Sequence, residues 1–168
     1  MTQERSLILD SKQIAQKLMR IAHEIHENNY KEKELVIVGV VGKGTEVASR
    51  LGKLLKSISE LSVSVEKIEL SKEKPLSGEI NYSGELKTLK GKSVVLVDDV
   101  LNSGRTLIYA AKHLLDAEPK TLATATLIDR FHRRFPIRAD YVGLTLSTNL
   151  KEHVSVEMEK GKEAVYLE

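Results

Sequence analysis

Apolar residues recur at Ile14, Leu18, Ile21, Ala22 and Ile25, the spacing of one face of a helix of about five turns. Asp10 stands just before that stripe and Gln13 lies three positions further on. Together they make the reciprocal capping pattern that satisfies the first unpaired amides of a helix, and Asn28 and Asn29 suit its end. Residues 35–41 are apolar throughout and rich in β-branched side chains, as a strand buried on both faces requires. Gly42-Lys43-Gly44 closes it and opens a second helix predicted over 45–56, with Val47, Ala48, Leu51, Leu54 and Leu55 inward. Residues 61–70 alternate enough to be another strand. Residues 71–86 mix glycine, proline, serine and charge without a sustained period. That predicts a long loop or irregular hairpin, which in a compact domain is usually functional or mobile.

A short buried strand is predicted over 94–97 and a helix over 105–117. Pro119 separates that helix from a strand over 121–128. Residues 140–146, 154–158 and 164–167 read as short terminal strands. Strands alternating with helices argue for an α/β fold with a mainly parallel central sheet and right-handed crossovers. The 168 residues suit a single domain over 1–168, long enough to bury its own core.

Composition narrows the chemistry. There is no cysteine, which removes disulfides, thiolate metal sites and cysteine nucleophiles. Five histidines without ligand spacing argue against a histidine metal site. The 26 basic and 24 acidic residues nearly balance, so the chain as a whole is no electrostatic nucleic-acid binder. No apolar run reaches membrane-span length and the first residues lack a signal-peptide core, so a cytoplasmic protein without a membrane partner is expected.

The sharpest chemistry lies in VVLVDDVLNSGRT, residues 94–106. An apolar strand delivers Asp98 and Asp99 to its carboxyl end, and the polar loop Asn102-Ser103-Gly104-Arg105-Thr106 runs into a helix. Ligands of open α/β sheets bind outside the carboxyl ends of the strands, and a helix amino terminus there offers free amides to an anion. Gly104 permits close approach, and the Ser103 and Thr106 hydroxyls donate to phosphate oxygens. The two acids suit hydroxyls or a hydrated divalent cation, and are expected to stand exposed in the cleft. A sugar phosphate fits this layout. Gly42-Lys43-Gly44 repeats the anion-site logic with a lysine. Ile128, Asp129 and Arg130 end a strand at the same edge, where a nucleobase is expected to sit. The segment Arg130, His132, Arg133, Arg134 and Arg138, with Phe131 and Phe135 interleaved, suits phosphate and unpaired-base contacts. A solvated charge cluster is the plain alternative. Arg20 and His23 face away from the stripe of the first helix, the ordinary setting of solvated side chains.

Residues 94–106 resemble the phosphoribosyl-diphosphate (PRPP) signature of type I phosphoribosyltransferases. Beyond that, LILD (7–10), RIAHE (20–24), LVDDVLNSGRT (96–106) and IDRFHRRFPIRADYVG (128–143) resemble the bifunctional pyrimidine-operon attenuation regulator/uracil phosphoribosyltransferase family. The resemblance implies a type I fold with a small hood at the carboxyl ends of the strands. It implies transfer of ribose phosphate from PRPP to uracil with Mg²⁺ present, the ion held without direct protein ligands. Asp98 and Asp99 would contact the ribose hydroxyls, residues 102–106 the 5′-phosphate, and Gly42, Lys43 and Gly44 the pyrophosphate. Arg20, His23, His132, Arg133 and Arg138 fall where that family binds a messenger-RNA leader hairpin, and a homodimer or higher homo-oligomer is implied. Two stretches depart from the family: Gly42-Lys43-Gly44 stands where the family usually has threonine-arginine-glycine, and SKEKP (71–75) leaves only Lys72 or Lys74 for the arginine of the mobile loop, predicted at 71–86. Three readings follow: a uracil transferase, an RNA-binding attenuator with little activity, or a transferase for hypoxanthine or guanine. Asn102, standing where purine enzymes carry an acid, weakens the third.

Overall fold

A computed structural model describes residues 4–71 and 73–168. The first strand, β1 (Ser6–Leu9), leads into α1 (Ser11–Asn29), whose capping box closes in both directions between Asp10 and Gln13. Then come β2 (Glu34–Val40), α2 (Lys43–Ile58), β3 (Ser62–Glu69) and the two-residue β4 (Asn81–Tyr82). A 3-10 turn at Leu86–Leu89 precedes β5 (Ser93–Leu101), α3 (Arg105–Leu115) and β6 (Thr121–Asp129). The chain continues through β7 (Tyr141–Thr145), β8 (Val154–Glu157) and β9 (Ala164–Leu167).

The central sheet runs β4-β3-β2-β5-β6-β7. All its pairings are parallel except that of β4 with β3. Residues 73–86 therefore belong to an irregular hairpin whose return arm is β4. Leu18, Ile21 and Ile25 of α1 and Leu51 and Leu55 of α2 pack on one face with Ile37 and Val95. Leu107, Ala110 and Leu114 of α3 cover the other face with Val38 and Leu96. Chain order reverses between the adjacent strands β2 and β5, because α2 leaves β2 on one face while α3 leaves β5 on the other. That is a topological switch point, where α/β sheets open a crevice for ligands.

Four boundaries differ by two or more residues from the sequence reading: the end of β5, both ends of α2, which runs on to Ile58, and the end of α3. The strand predicted to end at 97 continues to Leu101, because Asp98, Val100 and Leu101 stay in register with Thr126, Ile128 and Asp129. Backbone pairing is indifferent to a polar side chain when the neighbouring strand is in place. The second helix begins at Lys43, two positions earlier than predicted, with Gly42 as N-cap at φ 111°, a conformation open to glycine. The third helix ends at Leu115 rather than 117.

The terminal strands form a separate antiparallel sheet, β1-β9-β8. Its Val154, Val156 and Val165 join the same core as α1 and α2. Arg5 joins its ends, bonding Glu157 at 2.8 Å and Glu168 at 2.7 Å. Those two carboxylates hold the Arg5 guanidinium above its ordinary pKa, chiefly through the hydrogen bond to Glu157. No helix among the described residues is long and apolar enough to cross a membrane.

Candidate active site

The loops after β2 and β5 meet at the switch point. A Cβ built on Gly44 would come within 3.0 Å of Asp98 Oδ1 and 3.1 Å of the Val97 carbonyl oxygen. Few real Cβ atoms sit that close, so glycine lets the first turn of α2 lie against Asp98. A glycine expected at the pyrophosphate and an acid expected at the ribose are thus brought side by side.

Asp98 is 3% exposed, which corrects the expectation of two exposed carboxylates. Its Oδ1 accepts the backbone N–H of Asp99 at 2.9 Å. Asp99 is half-buried, and its carbonyl accepts the Thr126 hydroxyl at 3.0 Å. The burial follows from the longer β5: Asp98 is still a strand residue, in register with Thr126 of β6 and under the Gly44 turn. Asp99 is the more exposed of the pair, whereas Asp98, though buried, is the one that lines the adjoining cavity.

A cavity of about 210 Å³ is lined by Asp98, Leu101 and the whole of 102–106. Gly104 caps α3 in the left-handed region at φ 88°, and its ideal Cβ would lie 2.7 Å from Ile137 Cγ2. The first-turn amides of α3 face this end without helical acceptors, and the Arg105 N–H is met by Ser103 Oγ at 3.3 Å. The Ser103 carbonyl accepts from Arg134 N at 2.8 Å and Phe135 N at 3.1 Å. The arginine-rich segment therefore forms the back wall of the loop. The Arg105 side chain leaves the cavity: it donates to the Glu73 carbonyl at 3.1 Å and lies 5.6 Å over the Phe135 ring. Lys43 is exposed and pairs loosely with Glu46 at 3.7 Å.

At the end of β6, Ile128 and Asp129 are buried. Asp129 accepts from Phe131 N and Arg133 Nη2, each at 2.9 Å. Arg130 is 8% exposed and points into the 148–152 segment and Asn102. His132 Nε2 sits 2.6 Å from the Thr148 carbonyl, and Arg138 is exposed. His132 and Arg133 share a groove with Arg134 and Lys151. On α1, Arg20 pairs with Glu24 and donates to the Val142 and Gly143 carbonyls at 2.9 and 2.7 Å. That corrects its reading as simply solvated, because it ties α1 to β7. His23 is exposed. Of the two lysines in 71–75, Lys72 lies outside the described residues and Lys74 is exposed. Sequence reasoning passed over Thr148, Asn149 and Glu152, whose partners only the fold supplies. It passed over the conformation of Phe131 too, which is 66% exposed at φ 63°.

The family model for the phosphoribosyl transferase domain matches residues 4–160. A protein of Pelotomaculum thermopropionicum named bifunctional protein PyrR is 39% identical over 99% of this chain and 97% of its own length. Its namesake in Enterococcus faecalis is 36% identical over 91% of this chain and 89% of its own. A crystal structure of a hypoxanthine-guanine phosphoribosyltransferase from Bacillus anthracis superimposes with a TM-score of 0.68 at 26% identity, covering 85% of this chain and 84% of that one.

Proposed function

The chain belongs to the phosphoribosyl transferase domain family, and from that premise we propose that it transfers ribose 5-phosphate from PRPP to uracil, giving UMP and pyrophosphate. The observation that carries this reading is the meeting of Gly44 with Asp98 beside the 102–106 cavity, which gives one substrate two phosphate sites with acids between them. The choice of uracil rests on the greater likeness to the bifunctional PyrR proteins than to the purine enzyme, and on Asn102, which offers an amide and no carboxylate base.

In this reading the amides of α3 and the Ser103 and Thr106 hydroxyls hold the 5′-phosphate. Gly42 to Gly44 hold the pyrophosphate end, and Asp98 and Asp99 accept from the ribose hydroxyls. Uracil attacks C1 as pyrophosphate leaves, and positive charge grows on the ribose in the transition state. The fixed negative charge of the acids, already positioned, stabilises that growth without reorganisation. The Asp98 and Asp99 carboxylates would suit a Mg²⁺ ion arriving with the substrate, which would supply positive charge to offset the diphosphate. Residues 71–86, tied to the phosphate loop through Arg105 and Glu73, close over bound PRPP and keep water from the reactive centre.

A second activity has its own support. The groove of His132, Arg133, Arg134 and Lys151 and the exposed Arg138 fit binding of an RNA leader hairpin, as the named bifunctional relatives suggest. Purified protein with PRPP, Mg²⁺ and each of uracil, hypoxanthine and guanine tests the main reading: UMP is the expected product. IMP or GMP in its place would overturn the choice of base, and no nucleotide at all would leave only the regulator.

A further inference from the structure

Arg130 is a buried cation surrounded by neutral oxygens. Its Nε donates to Thr148 Oγ1 at 3.1 Å, and Nη1 to Asn102 Oδ1 at 3.0 Å. Nη2 donates to the carbonyls of Asn149 at 3.3 Å and Glu152 at 2.5 Å. An arginine stays charged in any protein setting, and burying that charge is costly unless its donors are met. Here they are met by two segments far apart in sequence, the first residue of the phosphate loop and the stretch leading to β8. The backbone sets this up. Arg130 N bonds the Leu101 carbonyl at 3.0 Å, so Arg130 and Asn102 leave paired strands side by side.

The consequence falls on Asn102. A carboxamide has one acceptor end and one donor end. With Oδ1 held by Arg130, the NH₂ is the end left for the cavity that Asn102 lines. We propose that Arg130 is a positioning residue: it locks the Asn102 carboxamide so that its NH₂ donates to an acceptor oxygen of the substrate, and it staples the 148–152 segment to the phosphate loop. This rests on the assignment of the cavity as the substrate site. The acceptor is a phosphate oxygen of PRPP or a carbonyl oxygen of the base, and separate KM values distinguish the two.

The test is a cycle of Asn102→Ala, Arg130→Met and the double variant, with KM for PRPP, KM for uracil and kcat measured for each. Asn102→Ala raises one of the two KM values roughly tenfold, and Arg130→Met raises the same one. The double variant is no worse than Arg130→Met alone, because the arginine acts through the amide. Arg130→Lys keeps the charge but loses the fork, and shifts the same KM by a smaller factor. It replaces Arg130→Met in the cycle if that variant fails to fold. A loss of melting temperature with both KM values unchanged would reduce Arg130 to a structural strut and overturn the proposal, as would additive effects in the double variant. An active wild type with unaffected Asp98→Asn/Asp99→Asn turnover would instead sink the site assignment beneath it.

Discussion

The loop 102–106, proposed to hold the 5′-phosphate, and the basic segment, 130–138, look equally ligand-directed in sequence, yet the fold uses them in opposite ways. The loop lines an open cavity at the start of α3 with all five of its residues. The segment turns two of its four arginines inward, Arg130 to four neutral oxygens and Arg133 to Asp129, and its His132 ring meets the Thr148 carbonyl. Arg134 and Arg138 alone of its arginines remain exposed. Its backbone amides at 134 and 135 hold the loop from behind. A run of charge thus states how many charges are present, and the fold decides how many are free to meet a ligand.

The strongest way to break this contrast is to remove the acids beside the loop. Replacing Asp98 and Asp99 with asparagine should cost on the order of a hundredfold or more in kcat/KM. Because Asp98 is buried, thermal melting of that variant should be recorded beside turnover, and Asp99→Asn alone should lower turnover while leaving melting near the wild type. Unchanged turnover in the double variant would remove the acids from the mechanism.

Gly104→Ala comes next. Its φ of 88° and the 2.7 Å approach to Ile137 should destabilise the fold by about 1–3 kcal/mol and weaken PRPP binding, measured by melting with and without PRPP. A variant as stable and as responsive as the wild type would mean the loop adopts another shape.

The exposed arginines of the segment give a third test. Arg134→Ala/Arg138→Ala should weaken binding to a pyrimidine-leader hairpin by roughly 1–3 kcal/mol per lost base contact, with wild-type affinity falling steeply as salt rises. Filter binding across a salt series reads both. Salt-independent or absent RNA affinity in the wild type would leave the enzyme alone. The smallest effect is expected at 71–86: saturating PRPP with Mg²⁺ should slow limited proteolysis within it several-fold. Equal cleavage with and without ligand would count against a lid.

Much of this molecule was legible before any coordinates. The stripe from Ile14 to Ile25 and the Asp10/Gln13 cap are local features, and α1 follows them closely. The strand-to-helix junctions at 42–44 and 102–106 were legible because glycine marks each turn, and Gly42 and Gly104 cap α2 and α3. The pairing of β1 with β9 was not, since its register is set by residues at the opposite end of the chain. Nor was the burial of Asp98, which depends on β6 extending β5 past Val97. The inward commitment of Arg130 was hidden for the same reason: its partners at 148–152 are polar residues with no pattern of their own.

The most direct test is a calorimetric titration of PRPP with Mg²⁺ into three proteins: the wild type, Ser103→Ala/Thr106→Val, and Arg134→Ala/Arg138→Ala. The loop variant should lose roughly tenfold or more in affinity, as two hydroxyl contacts to a charged group imply, while the arginine variant binds like the wild type. PRPP affinity lost in the arginine variant and kept in the loop variant would place the substrate phosphate on the basic segment and contradict the division of roles drawn between them.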